Sequence, residues 1–108
     1  MSPMEQPLTR AAFETLVRLV ASGPVGIWYR PHCWERMRKW HVDASDVVRL
    51  MRNVEMIGSA YRRSGEWRYK VRERLGNAPP ERKDIVLVLV VDDEGQVWGL
   101  TVYRGRRR

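Results

Sequence analysis

The sequence is poor in the residues and segments that mark several large classes of protein. Cys33 is the single cysteine among 108 residues, which excludes an internal disulfide and a zinc site built on cysteines. The longest uninterrupted apolar run, Ile85 to Val91, is far shorter than the roughly 20 residues that a helix needs to cross a bilayer. Met1 to Phe13 has no apolar signal core. We therefore expect a cytoplasmic protein with no disulfide framework and no membrane contact.

The sequence also lacks the common motifs of catalysis and cofactor binding. It has no P-loop, no dinucleotide-binding glycine fingerprint, no nucleophile elbow and no HExxH motif. Its two histidines, His32 and His41, fall on opposite faces at helical spacing, so they do not form a pair of ligands. We therefore expect no metal and no cofactor.

Positive charge is what the sequence has in excess. It carries 20 lysines and arginines against 13 acidic residues, a net charge of +7, and all the basic residues except Lys39, Lys70 and Lys83 are arginine. Arginine binds phosphate in a bidentate manner, and positive charge attracts polyanions. Nucleic acid or an acidic protein is therefore the first partner to expect, although a GC-rich genome produces the same bias toward arginine.

Hydrophobic periodicity predicts three helices followed by strands. The first helix begins after Thr9 and ends at Gly23, the second runs from about His32 to Trp40, and the third follows Asp43 with Val47, Leu50, Met51 and Val54 facing inward. The expected strands are a short edge strand at Val25 to Tyr29, an alternating strand at Glu66 to Arg72, a central strand covered on both faces at Ile85 to Val91, and a last strand at Gln96 to Tyr103.

This order of elements predicts an α+β fold in a single domain, with N-terminal helices packed on a small antiparallel sheet. We divide the chain into a helical extension at residues 1–24, an α+β domain at 25–104 and a basic tail at 105–108. The first helix is amphipathic, and it either covers the sheet or mediates a homodimer.

His32 and Arg36 form the first candidate site. Their i, i+4 spacing places them on one helix face, with Lys39 beside them. A histidine in the first turn of a helix is favoured in its neutral form, which suits a general base, and Arg36 would bind a phosphate. The simpler alternative is that His32 ends the turn after Pro31 and that Arg36 is a solvated surface charge.

Arg68, Lys70 and Arg72 form the second candidate site. Alternation along the strand places the three cations on one face, where they would bind the phosphates of a nucleic acid. The same alternation turns Trp67 and Tyr69 toward the core. An ordinary polar face of a half-covered sheet explains the pattern equally simply.

Tyr103 and Arg104, at the end of the last strand, form the third candidate site. In a small ribonuclease, a tyrosine or an arginine in this position would polarise the 2′-hydroxyl or stabilise pentavalent phosphorus. The alternative is a tyrosine at the edge of the core beside an arginine tail. Among the tryptophans, Trp40, Trp67 and Trp98 lie on apolar faces, whereas the positions of Trp28 and Trp34 are ambiguous.

Taken in order, several segments resemble a bacterial family of unknown function. They are His32-Cys-Trp-Glu-Arg36-Met37, Val42-Asp43 with Val47 and Leu50, Gly65-Glu-Trp-Arg-Tyr, Ile85 to Val91, and Val97 to Tyr103 with its Leu-Thr-Val-Tyr ending. That family has a His-x3-Arg-Met helix and a final Thr-Val strand. It is grouped near the RelE and BrnT toxins, which are small basic ribonucleases of toxin and antitoxin pairs. The resemblance spans about Ile27 to Arg104 and implies a RelE/BrnT-like, toxin-like domain with an acidic antitoxin as its partner.

Two hypotheses follow. In the first, the protein is a toxin-like ribonuclease that cleaves RNA without a metal. The catalytic residues are then His32, Arg36, Arg68 and Tyr103, and the RNA-binding residues are Lys39, Lys70, Arg72 and Arg104. In the second, the protein is a non-catalytic module whose basic surface binds nucleic acid or docks an acidic protein, as an inhibitor or adaptor from a mobile element would.

Overall fold

The structure is a computed structural model that describes residues 6–23, 26–74 and 85–105. Its elements follow in chain order as α1 (Arg10–Ser22), β1 (Trp28–Tyr29), α2 (Pro31–Trp40), α3 (Ala44–Arg52), β2 (Val54–Met56), β3 (Tyr61–Arg63), β4 (Glu66–Glu73), β5 (Ile85–Val91) and β6 (Val97–Arg104). The predicted α+β class is therefore confirmed. None of these three helices is long and apolar enough to cross a membrane.

Each helix begins where the sequence predicts, because a capping residue or a proline stands there. The Oγ1 atom of Thr9 accepts a hydrogen bond from the backbone nitrogen of Ala12 at 3.2 Å, and Pro31 occupies the first position of α2. At the start of α3, the carboxylates of Asp43 and Asp46 each accept a hydrogen bond from the other residue's backbone nitrogen. This reciprocal capping box fixes the direction in which α3 leaves the preceding turn.

The strands form one mixed six-stranded sheet in the order β1-β6-β5-β4-β2, with β3 also paired to β4. β4, β5 and β6 are antiparallel neighbours, which confirms the predicted meander. β1 lies at the edge as predicted, but it runs parallel to β6. β2 and β3 are additions, because three residues are too few to show alternation in the sequence. Val54, which we expect on the third helix, begins β2 instead, since α3 ends at Arg52.

The helices cover one face of the sheet, which we call the helix face. The apolar side chains of this face come from alternate strand residues, and the most buried are Tyr69, Val71, Leu87, Leu89 and Val102. The ring of Phe13 in α1 stacks on the ring of Tyr69, with centroids 4.0 Å apart and planes 9° from parallel. The first helix therefore shares one core with α2 and α3.

β1 and α2 pack so closely on β6 that a side chain at Gly99 would crowd its neighbours. A Cβ atom there would stand 3.1 Å from Cδ1 of Tyr29 and 3.2 Å from Sγ of Cys33. The contact buries Cys33, and this burial raises the pKa of its thiol to about 11. The thiol is therefore protonated at neutral pH and packs as a small apolar group. The opposite side of α2 is directed away from the sheet.

The other side of the sheet, which we call the open face, is covered by none of the described helices. It presents aromatic, aliphatic and cationic side chains in rows across the strands: Trp28, Trp98, Val86, Val88, Val90, Arg68, Lys70, Arg72, Thr101 and Tyr103. Val88 and Val90 are only 3% and 0% exposed. The prediction that both sides of β5 are buried is therefore correct, but the described helices account for only one side.

Candidate nucleic-acid interface

The open face is basic because β4 alternates two kinds of side chain. Tyr69 and Val71 lie on the helix face, whereas Arg68, Lys70 and Arg72 lie on the open face. This division confirms the prediction that the three cations share one side of a strand. Their partners decide which of the three are available to a ligand.

Arg68 is the least satisfied cation of the open face. It lies between Tyr61 of β3 and Val90 of β5. Its Nε atom is buried and has no hydrogen-bond partner, and it is the one buried side-chain nitrogen in this state within the described ranges. A buried N–H group without an acceptor costs about 1–3 kcal/mol. No solvent reaches this nitrogen, so a phosphate on the open face would meet the charge of the guanidinium and would not bond to Nε.

Lys70 and Arg72 differ in their partners although they lie on the same strand face. The Nζ atom of Lys70 stands 5.8 Å from the ring centroid of Tyr61, in a cation–π contact that leaves its charge uncompensated. The Nε atom of Arg72 instead donates to Oε1 of Glu55 at 2.8 Å. Of the three predicted phosphate ligands, Arg72 is therefore compensated by Glu55, whereas Arg68 and Lys70 form no salt bridge with a described carboxylate. The charge of Arg68 acts on Glu66 at longer range and helps to lower the pKa of that carboxyl.

Arg30, which the sequence analysis does not single out, extends over the open face from the start of α2. Its Nη1 atom donates to Oε1 of Glu66 at 2.9 Å, and the second amino group pairs with the other carboxylate oxygen. Its guanidinium carbon lies 5.7 Å from the ring centroid of Trp98. The hydrogen bonds from Arg30 hold the pKa of Glu66 below its ordinary value. No local sequence pattern predicts the pairing of Arg30 with Glu66, because 36 positions separate the two residues along the chain.

Two tryptophans occupy the β1 side of the open face. Trp28 and Trp98 are register partners on adjacent strands, with ring centroids 5.9 Å apart. Trp98 is anchored, because its Nε1 atom donates to Oδ2 of Asp92 at 2.9 Å. Trp28 is 49% exposed. The sequence places Trp98 on an apolar face and leaves the position of Trp28 ambiguous. In the structure, both residues lie on the open face.

Tyr103 and Arg104 diverge at the end of β6. Tyr103 pairs with Val86 and therefore lies on the open face, as Arg68 and Lys70 do. Arg104 pairs with Ile85 and lies on the helix face, where its Nε atom donates to the carbonyl oxygen of Trp40 at 3.2 Å. This bond satisfies a carbonyl group at the C-terminus of α2. The structure thus separates Arg104 from Lys70 and Arg72, which are also expected to bind RNA.

His32, Arg36 and Lys39 lie on α2, on the helix side of the sheet. The Nε atom of Arg36 donates to Nε2 of His32 at 3.3 Å, which confirms that the two share a helix face. The Nε2 atom of His32 is the acceptor in that bond, so it is already engaged by Arg36. The Nζ atom of Lys39 lies 5.4 Å from the ring centroid of Trp40.

The four residues of the catalytic hypothesis therefore form two separate pairs. Arg68 and Tyr103 lie on the open face, whereas His32 and Arg36 lie on the outer side of α2, across the sheet. A general base must reach within hydrogen-bond distance of the proton that it removes. One phosphodiester group held on the open face is thus out of reach of His32.

Carboxylates lie beside the cationic part of the open face, at one end of the sheet. A cavity of about 400 Å³ lies beside the turn between β5 and β6, and its lining includes Glu66, Asp92, Asp93, Glu94 and Trp67. Negative charge there opposes phosphate binding at the turn itself. Within the described parts of the chain, no group of three or more His, Cys, Asp or Glu residues is arranged to hold a metal ion.

Comparison with known proteins adds no relative from which a function can be transferred: no protein family, no curated protein and no solved structure matches the chain. The relationship to RelE and BrnT toxins therefore stays a prediction that rests on the sequence segments named above. The functional argument depends on the chemistry of the open face itself.

Proposed function

We propose that the protein binds RNA on the open face, with Arg68 and Lys70 as the phosphate ligands. The observation that carries the proposal is the presence of two cations that form no salt bridge with a described carboxylate, beside aromatic rings on a sheet face that none of the described helices covers. Side chains two residues apart on one side of a strand stand about 6.6 Å apart, a spacing suited to neighbouring phosphates. Positive charge interleaved with rings is the common composition of surfaces that bind single strands.

An acidic protein is the competing partner, and the aromatic residues favour RNA over it. The rings of Tyr61, Trp98 and Trp28 lie in the same row as Arg68, and stacking is an interaction that nucleobases supply. An acidic protein would also pair with the cations, but rings at a protein interface pack against apolar side chains, of which a strongly acidic surface has few. RNA binding also agrees with the cytoplasmic location that we propose for this protein.

A matched pair of lysine variants tests the proposal. Lys70 and Lys39 each contact one aromatic ring, at 5.8 Å and 5.4 Å, but they lie on opposite sides of the sheet. Lys70→Met and Lys39→Met remove the same charge. We expect Lys70→Met to weaken binding of a labelled single-stranded RNA and to reduce the slope of log K against log salt by about 0.7, the value for one phosphate contact. Lys39→Met retains the wild-type slope.

Equal effects of the two lysine variants would contradict the proposal, because they would show binding by net charge alone. A wild-type protein that ignores RNA at low salt but binds an acidic polypeptide would favour the protein-docking alternative. Fluorescence anisotropy over a series of salt concentrations measures both affinities with the same protein preparation.

RNA cleavage on the open face is a second proposal, and the position of Tyr103 favours it. Tyr103 and Arg68 share this face, so the tyrosine would polarise the 2′-hydroxyl while the guanidinium stabilises the phosphorane. The protein would then be a toxin-like ribonuclease whose acidic antitoxin covers the open face. Growth and RNA integrity in bacteria that express wild type, Tyr103→Phe, Arg68→Ala and His32→Ala test this proposal. We expect Tyr103→Phe and Arg68→Ala to lose cleavage and His32→Ala to keep it; intact RNA in all four cultures rejects cleavage.

A further inference from the structure

Trp28 is an exposed aromatic residue that the core does not need. It belongs to the two-residue edge strand β1, and 49% of its surface is accessible. Its register partner Trp98 lies beside it with an angle of 31° between the ring planes. A large ring at a sheet edge that is neither buried nor hydrogen-bonded within the described chain presents a flat apolar surface to solvent.

The neighbourhood of Trp28 is held in place before any ligand arrives. Trp98 is bonded through Nε1 to Asp92, and the guanidinium of Arg30 lies above its ring. Arg30 is in turn fixed by its two hydrogen bonds to Glu66. A rigid surface loses little conformational entropy on binding, which favours a stacking contact.

Trp28 stands in one row with the phosphate ligand Arg68. Trp28 pairs with Trp98, Trp98 with Val90, and Val90 with Arg68, so the row crosses four neighbouring strands. Neighbouring strands are about 4.8 Å apart, which places Trp28 about 14 Å from Arg68 along the row. A short stretch of extended nucleic-acid backbone spans that distance.

We infer that Trp28 is a base-stacking site for single-stranded RNA. Trp98 supports the ring of Trp28, and the RNA runs across the sheet toward Arg68 and Lys70. The inference deepens the proposed function, on which it rests, by naming the class of nucleic acid. Stacking on a protein ring requires a base that is not stacked between neighbours on both sides, and a duplex offers such bases only at its ends. The open face therefore selects single strands over duplex RNA of the same length.

Trp34 provides a matched control for a Trp28 variant. Both residues are 49% exposed, but Trp34 lies on α2 and packs against Tyr29, with ring centroids 4.6 Å apart. Binding of a labelled uridine-rich single strand and of a duplex of equal length is measured for wild type, Trp28→Ala and Trp34→Ala at one salt concentration. We expect Trp28→Ala to weaken single-strand binding by about 5- to 150-fold, the range for loss of one base-stacking ring. We expect Trp34→Ala to bind within about twofold of wild type, because no base stacks on its ring.

Trp28→Phe guards against a variant that fails to fold, because phenylalanine keeps an aromatic face on the edge strand. We expect it to bind the single strand more tightly than Trp28→Ala does. The inference is overturned if Trp28→Ala and Trp34→Ala bind alike, or if wild type binds the duplex as tightly as the single strand. In either case, the proposed function stands if the slope of log K against log salt still depends on Lys70. If wild type binds neither RNA, the proposed function and this inference are both rejected.

Discussion

The two faces of the sheet are built from alternate residues of the same strands, yet they satisfy opposite requirements. On the helix face, Tyr69 lies under the ring of Phe13 and is fully buried. On the open face, the preceding residue, Arg68, keeps a buried nitrogen without an acceptor. One face maximises apolar contact, whereas the other retains a group that destabilises the unliganded protein. The difference is the one expected if the helix face serves stability and the open face serves the RNA binding that we propose.

The valines of β5 show how the open face remains stable without a covering helix. Val88 and Val90 are as buried as residues of the core, although they lie outside the cluster that packs against the helices. Their register partners on β4 are Lys70 and Arg68, two half-buried residues whose long aliphatic stems are suited to covering apolar surface. The same side chains thus protect the sheet and present charge to a ligand.

Loss of the aromatic stack on the helix face should have the largest effect on stability. Phe13→Ala removes the ring that stacks on Tyr69, and a buried phenylalanine replaced by alanine costs about 3–5 kcal/mol. We expect urea denaturation to show a loss of this size, while the fraction that remains folded binds RNA with wild-type affinity. A loss below about 1 kcal/mol would mean that α1 is dispensable to the core.

Gly99→Ala should have the next largest effect and should reach both faces. The added methyl would meet the Tyr29 ring and the Cys33 sulphur, and overpacking of this kind costs about 1–3 kcal/mol. The displacement acts on β1, so we also expect weaker stacking at Trp28. Thermal melts of Gly99→Ala in the Cys33→Ala background supply a double-mutant cycle, and a cost that is unchanged by removal of the sulphur would disprove the steric explanation.

Local patterns in the sequence predicted much of what these variants test. The alternation from Arg68 to Arg72 assigned side chains to the two faces, and the caps at Thr9 and Asp43 located helix starts, because each depends on residues close in the chain. The parallel pairing of β1 with β6 was not predictable in this way, since parallel strands are joined by long connections.

The candidate site was less predictable than the fold, for the same reason. The i, i+4 spacing correctly placed His32 beside Arg36, but spacing within a helix carries no information about which side of a sheet the helix covers. The compensation of Arg72 by Glu55 and the Arg30–Glu66 pair likewise connect distant segments. Only the folded chain shows that Arg68 and Lys70 form no salt bridge with a described carboxylate and that Trp28 lies in the same row as Arg68.

Arg68→Met separates stability from binding on the open face. Methionine keeps an unbranched stem over Val90 and removes the buried Nε–H group that has no acceptor. Replacing an unsatisfied polar group by an apolar one of similar shape is neutral or stabilising, so we expect the free energy of unfolding to stay the same or to rise by up to about 1 kcal/mol. RNA affinity should fall in the same variant. A destabilised variant that retains full affinity would reverse the roles assigned to the two faces.

The smallest effect is expected from the ion pair between Arg30 and Glu66, and it depends on pH. The pKa of Glu66 is lower in the folded protein than in the unfolded chain, chiefly because Arg30 donates hydrogen bonds to its carboxylate. The contribution of the pair to stability is therefore complete above the ordinary value of 4.5 and is lost as the pH falls through the lower folded-state value. Both side chains are partly exposed, so the contribution is no more than about 1 kcal/mol.

Glu66→Gln isolates this contribution. We expect the variant to melt at a lower temperature than wild type at neutral pH and to melt with it in acid, where wild-type Glu66 is protonated. Glu94→Gln, at the exposed turn after β5, is the control, because its side chain forms no ion pair with the described residues. A difference between wild type and Glu66→Gln that persists unchanged in acid would show that the substitution acts through something other than the charge of the carboxylate. The support that Trp98 gives to Trp28 would then be independent of the charge on Glu66, and the stacking site that we propose would persist in acid, where the Arg30–Glu66 pair is lost.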